Sequence, residues 1–299
     1  VFVDKKIKMR VGFIGLGNMG FFMAENILKK GFPLSLYNRT KEKADPLLQI
    51  GAQWTASPKE LAASCDIVVS MVSNDAVLST ISEEILHSSK KPSIHISMST
   101  VSPDLSTSLE KSHKEKGITF LASPVSGRPE RAKEGTLWIF LAGESKAKKE
   151  AFPILEAMSC KVFDLGEHPS QASLFKLCNN FMILSLIESF SEAATMLEKG
   201  GIPTEKAAEI WGSSLFDAPV FHSYTPMICK RNYKDGGFAL NLGLKDIRLL
   251  QLAADKAQVS MPFLSDLHEK LLTSMNLGRQ DFDWSAIALL TRELAGLKS

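Results

Sequence analysis

The sequence predicts an α/β protein: a doubly wound, mainly parallel sheet within residues 1–166, then an all-α region over residues 167–299, joined by a long helix. Three observations carry this expectation. Short apolar runs alternate with helix-spaced segments through the first half, the pattern of successive βαβ units. A glycine-rich turn separates the first apolar run from the first helix. Beyond Gly166 the strand signals stop, and residues 169–199 contain no strong breaker, so one unusually long helix is expected there.

Val11–Ile14 is a short apolar run after a basic lead, and residues 19–30 follow with Met23, Ile27 and Leu28 at helical spacing. Gly31 stops that helix and Leu34–Tyr37 reads as the next strand, completing one βαβ unit. Residues 66–72, 93–98, 119–122, 137–142 and 162–165 read as further strands. Helices fill the gaps, among them 103–116 and 146–158. Such alternation implies a sheet covered on both faces. The second half is rich in helix formers, with breaks near Gly200-Gly201, Pro219, Pro226, Gly236-Gly237 and Pro262. A helical region beside the sheet would form a cleft for a second ligand.

Composition narrows the function classes. The 299 residues suffice for two cores, and 44% hydrophobic with 23% charged residues is ordinary for a globular chain. The net charge is +2, with Lys and Arg interspersed among acids, so no basic face for nucleic acid is expected. The run 146–150 reads as the solvated side of a helix. Cys65, Cys160, Cys178 and Cys229 form no CxxC pair, which argues against a disulfide framework or a metal site and for buried free thiols in a reducing, cytoplasmic setting. No apolar stretch is long enough to span a bilayer. Residues 1–10 are basic without an apolar signal core; those before Met9 read as an extension, a processed end or an added segment.

Gly15-Leu16-Gly17-Asn18-Met19-Gly20 matches G-x-G-x-x-G between a strand and a helix, the context that makes this motif informative. The first glycine permits the tight turn, the second lets a pyrophosphate approach the backbone, and the third lets helix pack on strand. This is a Rossmann-type dinucleotide turn. At the end of the second strand stands Asn38-Arg39-Thr40, where an NAD site usually has Asp or Glu for the ribose 2′-hydroxyl. Arg39 instead offers a planar cation to a 2′-phosphate, with Asn38 and Thr40 able to add hydrogen bonds, so NADP is favoured over NAD.

Lys176 sits in a mostly apolar helical stretch with Asn180 four residues on, on the same face. A desolvated lysine exchanges protons near neutrality, which suits a general acid/base. By spacing alone such a lysine more often snorkels, its head in water.

Five blocks in order resemble one family, the β-hydroxyacid dehydrogenases, across nearly the whole chain from Met9. They are Gly15 to Gly20; Met98-Ser99-Thr100 with Pro103; Pro124-Val125-Ser126-Gly127 with Gly135-Thr136-Leu137; Lys176-Leu177-Cys178-Asn179-Asn180; and Phe238-Ala239-Leu240 leading to Lys245-Asp246. The resemblance implies an enzyme that moves a hydride between a nicotinamide and a small β-hydroxyacid or its aldehyde-acid counterpart. It implies Lys176 as catalytic acid/base, and Ser126, Gly127 and Asn180 on the substrate carboxylate. Thr100 would lie where cofactor and substrate meet. Met71, Val72 and Ser73 would line the cofactor groove, and Phe238 and Lys245 would close over the nicotinamide side with Asp246 nearby. Relatives of this kind form dimers or tetramers, so a homo-oligomer is expected.

The chain departs from the family pattern at three places. Ser97 stands where an acid often precedes the Ser-Thr pair. Ala122-Ser123-Pro124 replaces Asp-Ala-Pro, and Arg128-Pro129 follows Gly127 in place of a second glycine. These surround the expected substrate pocket and leave substrate identity open. Arg128 either adds a cation for a second anionic group or sits on the surface. Related alternatives are an imine reductase, against which Lys176 argues, and a sugar-phosphate acid dehydrogenase, which would need more basic pocket residues. A non-catalytic NADP-binding protein is the alternative from another class.

Overall fold

The computed structural model describes residues 9–234 and 236–297, so the basic lead at residues 1–8 lies outside the described residues. In the first half β1 (Val11–Ile14) runs into α1 (Gly20–Lys29) and β2 (Leu34–Tyr37), followed by α2 (Asp45–Gln49) and β3 (Gln53–Trp54). Then come α3 (Pro58–Ser64), β4 (Ile67–Ser70), α4 (Asp75–Leu86), β5 (Ile94–Ser97), α5 (Pro103–Glu115) and β6 (Thr119–Ala122). These six strands pair in parallel in the order β3-β2-β1-β4-β5-β6.

The middle strands β1, β4 and β5 are buried at every residue, as a sheet covered on both faces requires. Met23, Ala24 and Ile27 of α1 pack with Val11 and Phe13 on one face. Leu61, Ala62, Ile81 and Ile85 pack with Ile14 and Val68 on the other. Side-chain caps start the covering helices: Ser57, Asn74 and Ser102 accept from the N–H groups of Glu60, Val77 and Leu105.

The later strands do not extend this parallel array. Ala122 and Ala142 exchange backbone hydrogen bonds of 3.1 and 2.9 Å, and the chain bends at Pro124 into β7 (Val125–Ser126). After α6 (Pro129–Glu134), β8 (Leu137–Leu141) returns antiparallel to β7; α7 (Ser145–Glu156) then leads to β9 (Ser159–Asp164), parallel to β8. The result is a second, three-stranded sheet in the order β7-β8-β9. A connection as short as α6 favours an antiparallel return, because a parallel crossover needs a dozen or more residues.

Two readings of composition change here. Lys148, in the run expected to be solvated, is 7% exposed; its Nζ donates to Asp164 Oδ1 at 2.6 Å and to the Gly166 carbonyl at 3.0 Å. That bond holds the Asp164 carboxyl below its usual range. Of the four free cysteines only Cys65 is buried, while Cys178 and Cys229 are half-buried and Cys160 is exposed on β9.

A buried polar chain links three elements of the first unit. His113 Nδ1 lies 2.8 Å from the Leu109 carbonyl, His113 Nε2 is 2.9 Å from His95 Nδ1, and His95 Nε2 is 2.9 Å from Ser70 Oγ. Only an N–H can face the carbonyl, so His113 carries its proton on Nδ1, His95 donates from Nδ1, and Ser70 donates to His95. Burial pushes His113 down to about 4, and burial with repulsion from His113 pushes His95 well below the usual histidine range. In the unfolded chain both protonate near pH 6.5. Their neutral forms therefore support the fold above that pH, and this support is lost as pH falls toward 4. Chemical denaturation at pH 7 and pH 5 should show the loss, about 2 kcal/mol from His113 alone. A His113→Phe variant with the same dependence over that window would contradict this account.

By packing, the chain divides into two compact units between Lys176 and Leu177, inside α8 (Pro169–Lys199). The second unit adds α9 (Thr204–Gly212), α10 (Pro219–Lys230), α11 (Leu240–Ala257), α12 (Pro262–Asn276) and α13 (Ile287–Leu294). Pro226, expected as a break, lies inside α10. Leu184, Ile187, Leu244, Ile247, Leu267 and Trp284 are core members of this unit. Buried Glu188 of α8 accepts from Lys270 and Thr291, and Glu198 pairs with Arg292. Among the described residues no helix is long and apolar enough to cross a membrane, and no cluster of three or more His, Cys, Asp or Glu side chains suits a metal ion.

Candidate active site

The β1–α1 turn is built by close approach. Gly15 has φ +99°, donates its N–H to the Tyr37 carbonyl at 3.0 Å, and would place a Cβ 2.2 Å from the Met71 carbonyl oxygen. A Cβ on Gly20 would stand 2.0 Å from the Gly15 carbonyl oxygen. At Gly17 a Cβ would meet nothing within 4 Å. That open space lies just before α1, whose Phe21 N–H turns back to the Gly17 carbonyl at 3.1 Å and whose N-terminus presents the positive end of the helix dipole, so the turn fits a dinucleotide's pyrophosphate.

Flanking residues divide between framework and ligand roles. Leu16 is buried, and its N–H donates to Asn38 Oδ1 at 2.9 Å while Asn38 Nδ2 donates to the Thr40 carbonyl at 2.8 Å. The Asn38 amide, expected to reach the cofactor, thus ties the turn to the end of β2. Met19 packs against the core, whereas Asn18, Arg39 and Thr40 are exposed. No described carboxylate pairs with Arg39, which suits it to an incoming anion.

Met71, Val72 and Ser73 follow β4. The Val72 N–H donates to Ser99 Oγ at 2.8 Å, and Asp75 accepts from Ser102 N–H at 3.1 Å and Ser102 Oγ at 2.5 Å. Ser99 and Asp75 thereby join the β4 and β5 loops and position Thr100, a role the sequence did not single out. Polar residues one and three places past the strand ends expected from sequence, at Met98 and Val72, were the available signal. Ser126 ends β7, and Gly127 takes φ +140°, where a Cβ would also lie 2.8 Å from Leu137 Cδ2, so only glycine suits the position. Beyond the carboxyl ends of β1, β2, β4 and β5 the first unit thus gathers the turn, Asn38 to Thr40, Met71 to Ser73 and Thr100, as ligand sites of parallel sheets do.

On α8, Lys176 is 8% exposed and Asn180, one turn on, 3%. Asn180 Nδ2 donates to Asp246 Oδ2 at 2.5 Å, and Lys245 Nζ lies 3.0 Å from Asp246 Oδ1. The carboxylate, 1% exposed, therefore fixes both partners. Phe238 packs edge-on to Trp284 at 4.7 Å, and its N–H donates to Asp283 Oδ2 at 3.3 Å. Its ring is thus part of the helical core packing. The second unit so brings together Asn180, Lys245 and Asp246, while Phe238 is anchored separately.

A doubly wound sheet with a glycine turn, continued by a helix bearing a buried lysine and an amide one turn apart, defines a nicotinamide-dinucleotide oxidoreductase. The chain matches the NAD binding domain of 6-phosphogluconate dehydrogenase over residues 10–166 and the NAD-binding region of NADP-dependent 3-hydroxyisobutyrate dehydrogenase over residues 170–291. The uncharacterized oxidoreductase YfjR of Bacillus subtilis is 38% identical over 93% of this chain and 98% of its own. Glyoxylate/succinic semialdehyde reductase 1 of Arabidopsis thaliana is 32% identical over 93% of this chain and 97% of its own. Mycobacterium tuberculosis 3-hydroxyisobutyrate dehydrogenase, solved with L-serine, shares the fold at a TM-score of 0.86 and 23% identity, over 95% of this chain and 99% of that one. The chain belongs to the β-hydroxyacid dehydrogenase family, and is an NAD(P)-dependent hydroxyacid dehydrogenase or reductase.

Proposed function

We propose that this protein is an NADP-dependent reductase of small aldehyde acids, running also in reverse as a β-hydroxyacid dehydrogenase, with Lys176 as general acid/base. The observation that carries the reading is the nearly buried Lys176 one helical turn from Asn180, whose amide Asp246 holds. Bound NADPH would supply the hydride. Gly15, Gly17 and Gly20 would shape the turn that takes its pyrophosphate, and Arg39 would meet its 2′-phosphate. Ser126, the Gly127 N–H and Asn180 would hold the substrate carboxylate by charge-assisted hydrogen bonds. Lys176 would donate a proton to the carbonyl oxygen as that oxygen becomes the hydroxyl; in the oxidative direction the neutral amine takes the proton back. The relatives named glyoxylate/succinic semialdehyde reductase support the aldehyde-acid class.

The test is NADPH oxidation across a panel of aldehyde acids including glyoxylate and succinic semialdehyde. Binding of NADPH with no oxidation by any of them would make this a non-catalytic nucleotide-binding chain. Cofactor choice is tested separately. Arg39→Asp is expected to lower kcat/KM for NADPH by about 10- to 100-fold, the worth of a charge-assisted contact to phosphate, and to leave NADH use unchanged or improved. Equal losses with both cofactors would remove Arg39 from the 2′-phosphate site.

A further inference from the structure

The loop that ends β7 is braced from one side by an arginine and a tryptophan. Ser126 pairs with Trp138 across the antiparallel β7–β8 ladder, so their side chains share a face of the sheet. The Arg131 guanidinium carbon lies 3.8 Å from the centre of the Trp138 ring, and Arg131 Nη1 donates to the Thr136 carbonyl at 2.9 Å. The stem of the same arginine is against Gly127: a Cβ there would sit 3.3 Å from both Arg131 Cβ and Cδ. Both Arg131 and Trp138 are half-buried. The far side of α6 is tied down as well, since Asn26 Nδ2 of α1 donates to the Ala132 carbonyl at 2.7 Å.

We infer that Arg131 and Trp138 form a clamp that sets the Ser126–Gly127 loop for the substrate carboxylate, which makes Arg131 a positioning residue. The inference rests on the function proposed above, which places the carboxylate at that loop. A cation on an aromatic face is a directional contact that survives partial exposure. Here it fixes α6 over β8, and the arginine stem then leaves Gly127 one position. An anion-binding loop gains affinity when its donors are already oriented, because less ordering remains to be done on binding. The clamp therefore acts on substrate capture more than on the proton or hydride step.

The experiment compares the parent enzyme with Arg131→Met, which keeps the stem, and Trp138→Leu, which removes the ring. Arg131→Lys and Trp138→Phe are the conservative partners. Amide hydrogen exchange at residues 125–128 is followed together with KM for the aldehyde acid, kcat and NADPH affinity. Arg131→Met and Trp138→Leu are each expected to speed exchange at Ser126 and Gly127 and to raise KM, by about three- to thirtyfold in both readouts, with kcat and NADPH affinity nearly unchanged. The conservative variants should restore most of the loss. Unchanged exchange in both variants overturns the clamp, whether or not the parent turns over. A raised KM in Arg131→Met with Trp138→Leu at parent values also overturns it, since the guanidinium would then touch substrate directly. Faster exchange in both variants of a parent that reduces no aldehyde acid leaves the clamp standing and removes the proposed function instead.

Discussion

Replacing Lys176 with alanine is expected to lower kcat for aldehyde-acid reduction by about 10²- to 10⁴-fold, the usual loss of a positioned proton donor, while NADPH binding is retained. The residue is 8% exposed and stands one turn from Asn180 on α8, and the bond from the Asn180 amide to Asp246 does not involve the lysine. Asn180 therefore keeps its orientation, and KM for the substrate should move far less than kcat. Single-turnover oxidation of bound NADPH reads the step directly. Turnover at the parent rate in Lys176→Ala would show that the proton comes from elsewhere. A loss of NADPH affinity matching the loss of kcat would show a structural role for the lysine.

The second large effect is expected at the turn, where two glycines should fail in different ways. Gly20→Ala places a methyl group 2.0 Å from the Gly15 carbonyl oxygen and 3.2 Å from Phe13 Cε1. The oxygen belongs to a backbone segment pinned by the Gly15 N–H bond to Tyr37, so α1 has to move. A cost of about 1–3 kcal/mol in folding stability and a large loss of NADPH affinity are expected. Gly17→Ala places its methyl in open space, so stability should hold while NADPH affinity falls, because the methyl occupies the room where the pyrophosphate would approach. Urea denaturation and fluorescence titration of NADPH on the two variants separate these outcomes. Unchanged NADPH affinity in Gly17→Ala would remove the turn from the cofactor site.

Much of this architecture was legible because its signals are local. The β1 and β2 strands were read at their observed ends, and the long helix at residues 169–199 was read whole, since apolar run length and the absence of breakers act within one element. β6 was also read at its observed ends, β4, β5 and β8 were read one or two residues too long at one or both ends, and β9 was begun three residues late. The Met71 N–H makes the last ladder bond to the Ile14 carbonyl of β1, and the Val72 N–H then turns away to the Ser99 hydroxyl, a partner distant in sequence. The return of β8 against β7 was not legible because it depends on how the chain bends at Pro124, and the same alternating signal serves a parallel or an antiparallel neighbour. Pro226 was misread because a proline inside a helix is tolerated when packing on the rest of that helix outweighs the lost hydrogen bond; Phe221, Tyr224 and Ile228 of α10 are all buried.

The candidate site divides in the same way. The residue types at the turn and the Arg39 charge already state what ligand they suit, and spacing alone puts Lys176 and Asn180 on one helical face. What each polar group is spent on was decided only by folding. The Asn38 amide serves the turn, Asp246 is committed to Asn180 and Lys245, and Lys148 leaves water for Asp164 and Gly166. The physical reason is that a side chain's chemistry travels with its residue type, while its hydrogen-bond partners are set by which distant segments the packed core places within about 3 Å of it.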